Sequence, residues 1–222
     1  MKIIRSILFL TGLCLWPAFP ETVAQNSFNA LPWNHSLAYN SYLMRTVHGQ
    51  YLERNEAFDK ALASKAAMQA YVDDCRKRYR SIIGTFPDKK ELNAQVVSSF
   101  DYPGLHIENI LFESLPGRFV TANLYLPVNR TGKIPAAIQF CGHGIHGKIS
   151  ESPIGALLAL NGIAVLVVDP IGQGERLQLI DEKGNALTRG ATTEHTLLNA
   201  GLNLLGTSLA AQECWDNHRA LD

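Results

Sequence analysis

Two glycine-rich segments of this chain contain histidine, acidic and basic residues, which are side chains that can take part in catalysis or binding. Residues 142–147 read Gly-His-Gly-Ile-His-Gly, and residues 169–176 read Asp-Pro-Ile-Gly-Gln-Gly-Glu-Arg. Glycine lets a backbone approach a bound group closely, while the histidine, carboxylate and guanidinium side chains can exchange protons or pair with charge. Each segment directly follows a short apolar run. The pattern therefore predicts a functional site where two strands end.

The two apolar runs predict a βαβ unit. Residues 135–141 and 162–168 have the length and composition of strands, and neither alternates with polar residues, which indicates that both faces of each strand are covered. The stretch between them has the length of a helix, with one face predicted from Ile154, Leu157, Leu158 and Leu160. In an open parallel sheet, ligands bind beyond the carboxyl ends of the strands. Both glycine-rich segments lie there.

The remaining elements precede this unit. Residues 105–114 and 118–126 predict a β-hairpin, because the Pro116-Gly117 pair between them is a turn signal. Residues 41–83 are rich in helix formers and predict a helical segment that ends at Gly84. We expect a soft domain boundary after this segment.

The segments 142–147 and 169–176 resemble those of secreted α/β-hydrolases of the acetylxylan esterase type, a group related to the dienelactone hydrolases. The resemblance begins at residues 105–127 and continues through Thr-Thr-Glu-His-Thr at 192–196 to Trp-Asp-Asn-His-Arg-Ala-Leu-Asp at 215–222. It implies the N-terminal part of an α/β-hydrolase fold, with a β-hairpin followed by a parallel βαβ unit, preceded by a helical segment and with an incomplete sheet. In the family, the turn that carries the nucleophile follows shortly after the segment that ends at residue 222.

The resemblance also implies roles for the two segments. His143 and Gly144 correspond to the family's His-Gly pair, and the Ile145 amide would donate to the oxyanion that forms during attack on an ester. The alternative is a glycine-rich turn that requires positive φ angles and in which His143 is merely hydrogen-bonded. Residues 169–176 are expected to shape the site rather than react, with Glu175 and Arg176 pairing with each other or with Glu194 and His195. The residues assigned to this second role are Asp169, Gly172, Gln173, Gly174, Glu175, Arg176, Glu194 and His195.

Other uses of these residues find little support in the sequence. His143 and His146 could suggest a metal, but no third ligand follows at a recognisable spacing. The Gly-Gln-Gly sequence lacks the third glycine of a dinucleotide fingerprint, and no phosphate-binding loop sequence is present. We therefore expect no metal and no cofactor.

A nucleophile is not evident within the chain. No G-x-S-x-G sequence occurs, and its nearest imitation, around Ser208, does not follow a strand-like run. The downstream Asp216, His218 and Asp222 lie on the same predicted helix, residues 208–222, where they cannot converge on Ser208 as a triad does. A Cys141 nucleophile would precede the oxyanion loop instead of following an elbow strand. The sequence therefore predicts that the catalytic triad is not contained in these residues.

Three functions remain open at this stage. The first is the N-terminal fragment of a secreted carboxylic-ester hydrolase that acts on a small ester or an acetylated carbohydrate and is completed by a C-terminal half. The second is a hydrolase that uses Ser208 or Cys141. The third is a non-catalytic binding module on a hydrolase scaffold, for which exposed aromatic platforms would be expected. The motifs favour the first.

The N-terminus and the composition set the remaining expectations. Lys2 and Arg5 precede an apolar run at residues 7–16, and small residues at 22–24 follow, which predicts a signal peptide over residues 1–24 and export of the rest. Twenty basic and twenty acidic residues give no net charge, so neither a nucleic acid nor an anionic membrane is an expected partner. The predicted organisation is a signal peptide (1–24), a helical segment (25–88) and an incomplete hydrolase domain (89–222).

Overall fold

A computed structural model describes residue 30 and residues 37–222. These residues divide into two compact units, the first extending to Val72 and the second beginning at Asp73. The predicted signal peptide lies outside the described residues. The predicted boundary after residue 88 remains a prediction. Among the described residues, no helix is long and apolar enough to cross a membrane.

The N-terminal segment forms two helices, α1 (Ala38–Ala61) and α2 (Lys65–Ile83), rather than one uninterrupted helical run. The break has a local cause, because the Ser64 hydroxyl accepts a hydrogen bond from the Ala67 amide at 3.1 Å. A serine that bonds the amide three residues ahead caps the start of a helix. A new helix therefore begins at Lys65.

The sheet has five strands, which are β1 (Gln95–Tyr102), β2 (Leu105–Leu115), β3 (Arg118–Pro127), β4 (Ala136–Phe140) and β5 (Ala164–Val168). They lie in the order β1-β2-β3-β5-β4. All neighbouring strands are antiparallel except β4 and β5, which run parallel. The predicted hairpin and the predicted parallel βαβ unit are both confirmed, and the mixed α/β fold class with them.

Strand β1 was not predicted from the sequence. Every one of its residues is exposed, so its apolar residues show no pattern of one buried face. Its place is fixed by pairing along β2, from Gln95 opposite Leu111 to Tyr102 opposite Leu105. Backbone hydrogen bonding, rather than burial, holds this strand in the sheet.

Helix α3 (Ser152–Leu160) connects β4 to β5 and packs with its small residues against the sheet. The predicted apolar face was only partly right: Leu158 packs against the core, but Ile154, Leu157 and Leu160 are at least half exposed. Gly155 and Ala159 are buried instead. A Cβ at Gly155 would lie 3.0 Å from the Tyr125 ring, so the helix and sheet approach closely at this position. Large side chains would not fit between them.

Apolar side chains form a core on each face of the sheet, since successive residues of a strand point to opposite sides. The cluster on the α3 face includes Leu105, Tyr125 and Val167, and that on the other face includes Phe112 and Val120. Helices α4 (Ala191–Leu204) and α5 (Leu209–Arg219) complete the described fold. The Trp215 indole on α5 donates a hydrogen bond to the Ser114 carbonyl of β2 at 3.0 Å.

Candidate functional site

The two glycine-rich loops lie side by side at the carboxyl ends of β4 and β5. The second loop braces the first through Gln173, whose buried side-chain amide donates to the carbonyl oxygens of Gly142 and Gly144, both at 2.6 Å. The Gly174 amide also donates to the Ile145 carbonyl at 2.9 Å. These three bonds fix the path of the first loop. The role of Gln173 is therefore to position backbone atoms.

The Asp169 carboxylate joins the two loops from below. It is fully buried and accepts hydrogen bonds from the Lys148 amide and the Thr121 hydroxyl, both at 2.7 Å. The Lys148 ammonium, which is 5% exposed, pairs with Asp169 and, at 2.5 Å, with Glu175. Opposite charges nearby offset the cost of burying an ammonium group. Lys148 was not identified from the sequence as a site residue.

Two glycines make room for this carboxylate. Gly147 and Gly174 have φ angles of +53° and +57°, and a Cβ on either would lie only 2.1 and 2.3 Å from the Asp169 Oδ1 atom. Both the backbone conformation and the available space therefore require glycine at these positions. The glycine content of the loops is explained in part by the buried aspartate.

Arg176 reaches into the fold rather than into the site. Its guanidinium donates to the Asp169 carbonyl at 3.0 Å and pairs with the buried Asp216 carboxylate at 2.7 Å. Arg118 pairs with the other oxygen of Asp216 at 2.5 Å. The pairing that we predicted for Glu175 and Arg176 is thus wrong: Arg176 pairs with Asp216 on α5, and Glu175 pairs with Lys148.

Glu194, at the start of α4, holds the loop that follows residue 176. Its buried carboxylate accepts hydrogen bonds from the Gln178 backbone N–H at 2.6 Å and from the Thr188 hydroxyl at 3.5 Å. An acidic side chain in the first turn is also favoured by the positive end of the helix dipole. Glu194 therefore orders the rim of the site and is not one of its exposed groups.

His143 and His195 meet above the first loop. Their ring centroids are 5.2 Å apart and their planes are inclined by 61°. His195 Nε2 lies 2.7 Å from the Ile171 carbonyl, an acceptor, so this nitrogen carries the proton. Burial lowers the pKa of His195 below its usual 6.5, with the Ile171 bond opposing the effect. The pair therefore places the partly buried His195 imidazole, whose charged form is disfavoured, beside the exposed imidazole of His143.

Glu213 on α5 is a further site residue that the sequence did not indicate. Its Oε1 atom lies 3.8 Å from His195 Nε2 and is buried with no hydrogen-bond partner among the described residues. Burial raises the pKa of Glu213 to about 7; Arg176 opposes this shift and Asp216 reinforces it. The sequence could not indicate the burial of this carboxyl group beside His195, because Glu213 looks like an ordinary polar residue of an amphipathic helix.

Replacing Glu213 with glutamine should flatten the dependence of stability on pH. A carboxyl group whose pKa rises from 4.5 to about 7 on folding binds its proton more tightly in the folded state. The free energy of unfolding should then fall as the pH rises through that interval, by about 1–2 kcal/mol when its partial exposure is allowed for. Urea unfolding of both proteins at a series of pH values measures the difference. Parallel curves for the two proteins would contradict this prediction. His195 is present in both proteins, so its contribution to the pH dependence largely cancels in the comparison.

The two alternative nucleophiles have structural roles. The Ser208 hydroxyl accepts a hydrogen bond from the Ala211 amide at 3.2 Å and caps α5. The Cys141 thiol donates to the Val168 carbonyl at 3.2 Å, and burial, with Asp169 and Glu151 nearby, raises its pKa to about 12. A thiol that stays protonated is a poor nucleophile. Neither residue has the surroundings of an activated nucleophile.

The acid and histidine candidates on α5 and just after it are also engaged elsewhere. Asp216 pairs with two arginines, and Asp222 pairs with Lys89 and Arg219. The His218 ring lies 5.6 Å from that of Phe86 and 5.9 Å from that of Trp215. Within the described part of the chain, no group of three metal-binding side chains could hold a metal ion.

The first loop leaves a backbone donor available. The Gly144 amide bonds to the Gly142 carbonyl at 2.8 Å, and the Gly147 amide to the Gly144 carbonyl at 3.0 Å. No hydrogen bond among residues 37–222 uses the amides of His143, Ile145 or His146. The structure thus places His143, Gly144 and Ile145 on one braced loop that could present a backbone N–H to a bound oxygen.

Comparison with known proteins shows the fold. A proposed acetyl xylan esterase from Bacteroides fragilis is 17% identical with a TM-score of 0.56, and the match covers 77% of this chain and 48% of that one. A methylesterase is 22% identical over 70% of this chain and 36% of its own, with a TM-score of 0.47. An acetyl xylan esterase from Paenibacillus sp. R4 is 24% identical over 44% and 30%, with a TM-score of 0.31.

No family model matches the chain, and no curated protein matches it significantly. The chain spans about half the length of the Bacteroides fragilis protein. The predicted α/β-hydrolase fold is confirmed over the part of it that this chain covers.

Proposed function

We propose that this chain is the N-terminal part of an exported carboxylic-ester hydrolase that resembles acetylxylan esterases. Its substrate class is a small ester or an acetylated carbohydrate. The loop at residues 142–147 stabilises the oxyanion through the Ile145 amide, beside His143 and Gly144. The nucleophile, acid and histidine come from a C-terminal part outside this sequence, and residues 1–24 direct export.

One observation carries this proposal. Gln173 and Gly174 hold the carbonyl oxygens of Gly142, Gly144 and Ile145 from one side, while no described residue uses the Ile145 amide. An oxyanion hole needs a backbone donor that is fixed before the reaction, because a donor that must reorganise stabilises the transition state less.

The chain without a C-terminal part should not hydrolyse esters above background. Ser208 caps a helix and Cys141 stays protonated, so neither of the two candidate nucleophiles is activated. Release of an aryl alcohol from an aryl acetate measures this. Turnover by the chain alone that disappears on Ser208→Ala would replace the proposal with the second alternative.

A positive test uses the coding sequence that continues after codon 222. If it adds a strand and G-x-S-x-G, the longer protein should hydrolyse aryl acetates. In that protein, Gln173→Ala should lower kcat by about 100-fold, the loss that follows when an oxyanion donor is misplaced. Gln178→Ala is the matched control, since its side-chain amide bonds only the Arg176 carbonyl in the same region. Equal activity of the two variants would contradict the role of residues 142–147 in stabilising the oxyanion.

The free edge of β4 should cause the chain to self-associate. In its described part, the chain pairs β4 only with β5. The backbone N–H and C=O groups of every second residue, beginning with the Pro135 carbonyl, point towards β5. Those of Ala136, Ile138 and Phe140 therefore point away from the sheet. An unpaired apolar edge is a template for association. Phe140→Lys should reduce association measured by light scattering, whereas Phe119→Lys on the internal strand β3 should not. The two side chains are 55% and 53% exposed. A monodisperse parent chain would contradict this prediction.

A further inference from the structure

A groove on the α3 face of the sheet lies outside the proposed oxyanion loop. It runs across β1, β2 and β3 towards the start of α3 and has a volume of about 580 Å³. Sites for small molecules commonly have volumes of this order, with mostly apolar walls and a few polar groups. All of the residues that line it belong to the second compact unit. The size of the groove suits a molecule of one or two rings.

Three polar side chains form a row along the floor of the groove. The Asn123 amide donates to the Asn109 carbonyl oxygen, and the Asn109 amide donates to the Ser98 hydroxyl at 2.8 Å. The row crosses from β3 to β1, because Ser98 and Asn109 are paired across the ladder and Asn109 faces Asn123. Each primary amide has two N–H donors. The hydrogen bonds among described residues therefore leave each asparagine one N–H for a guest.

Exposed apolar side chains also line the groove. Val97 and Phe100 on β1 are 65% and 51% exposed, and Ile149 near the start of α3 is 65% exposed. An exposed aromatic ring beside hydrogen-bonding side chains can stack against an apolar face while the polar groups bind at its edge. The groove therefore combines an apolar wall with neutral donors and acceptors.

The charge of the lining favours an uncharged guest. Lys148 and Glu175 are the only charged residues among the described residues that line the groove, and they pair with each other at 2.5 Å. Lys148 also pairs with the buried Asp169. No positive charge is left for an anion, and a cation would compete with Lys148 for carboxylates that it already occupies. A neutral ligand avoids both costs.

We propose that this groove binds an uncharged saccharide, with a C–H face of the sugar ring against Phe100 and its hydroxyl groups on the row of Ser98, Asn109 and Asn123. Hydroxyl groups both donate and accept, which matches the amide and hydroxyl groups of the row. This site is separate from the oxyanion loop and does not depend on the proposed hydrolysis. It would hold a sugar whether or not the complete protein is an enzyme.

The test is a titration of the isotope-labelled chain with cellobiose, followed by NMR at a protein concentration below the onset of self-association. The side-chain NH₂ signals of Asn109 and Asn123 should shift in a saturable way. Phe100→Ala and Asn109→Ala should each weaken binding by about tenfold, a change of about 1.4 kcal/mol. Tyr102→Ala is the matched control, an exposed aromatic residue on the same strand but outside the lining, and it should bind as the parent does. Glucuronic acid should bind more weakly than a neutral sugar.

Several results would overturn the proposal. They are the absence of saturable shifts in the parent chain, shifts confined to residues 142–147, or equal losses in Phe100→Ala and Tyr102→Ala. A preference for glucuronic acid would refute the argument from charge. None of these results would count against ester hydrolysis, so failure of the groove and failure of the proposed function are distinguishable.

Discussion

Replacing Asp216 with alanine should lower the free energy of unfolding by about 3–5 kcal/mol. Its carboxylate is 1% exposed and accepts from Arg176 at 2.7 Å and from Arg118 at 2.5 Å. Alanine would leave Arg176, itself 7% exposed, without its compensating charge. An uncompensated buried charge costs far more than a lost surface contact, because neither water nor a counter-charge replaces the partner. Urea unfolding below the onset of self-association measures the loss.

A surface ion pair gives the matched control. Asp74 accepts from Arg78 at 2.7 Å, a distance equal to that between Arg176 and Asp216, but its side chain is 53% exposed. Asp74→Ala should therefore cost no more than about 1 kcal/mol. Similar losses in the two variants would mean that burial does not govern the contribution of Asp216. Asp216→Asn should fall between them, since it keeps a hydrogen-bond acceptor but not the charge.

Replacing Gly174 with alanine should also cost about 3–5 kcal/mol, through a different mechanism. Its φ of +57° disfavours any residue with a Cβ by roughly 1–2 kcal/mol. The added methyl group would in addition lie 2.3 Å from Asp169 Oδ1, so the carboxylate would have to leave its bonds with Lys148 and Thr121. Overpacking and the loss of buried partners then add to the backbone cost.

Gly184 separates these two contributions. It has a φ of +81°, yet a Cβ there would meet nothing within 4 Å. Gly184→Ala should therefore show the backbone cost alone, and the difference between the two variants measures the steric cost at Asp169. Chemical unfolding of both proteins gives both numbers. Equal losses would show that the loop moves aside and that Asp169 does not fix its position.

The elements that the sequence predicted best are those whose own residues determine them. The βαβ unit and the hairpin follow from uninterrupted apolar runs and a Pro-Gly turn, which are local signals. Strand β1 escaped prediction because its conformation depends on pairing with β2, while all of its side chains are exposed. The orientation of α3 was mispredicted because close approach to Tyr125 favours Gly155 over the larger residues. Apolar content alone does not indicate how near two backbones come.

The candidate site divides in the same way. The two glycine-rich loops were located from their position after strands, and the structure does place them together. The ionic partners were not predicted from the sequence. Arg176 and Asp216, like Lys148 and Asp169, are far apart in the sequence, and only the order of the strands brings them into contact. Glu213 likewise gains its raised pKa from burial beside α4, which no local pattern encodes.

The sheet order also determines when each strand can find its partner as the chain is synthesised. Strands β1 to β3 are neighbours in both sequence and space, so they can pair as soon as they emerge. Strand β4 is made next but pairs with β5, which comes only after α3, and β5 must insert between β3 and β4. Until β5 is in place, β4 is an apolar segment with no hydrogen-bonded partner strand. Its pairing is delayed because the chain between β4 and β5 must first close into a loop. The nascent chain therefore passes through a stage in which the strand preceding the first glycine-rich loop is its most aggregation-prone part.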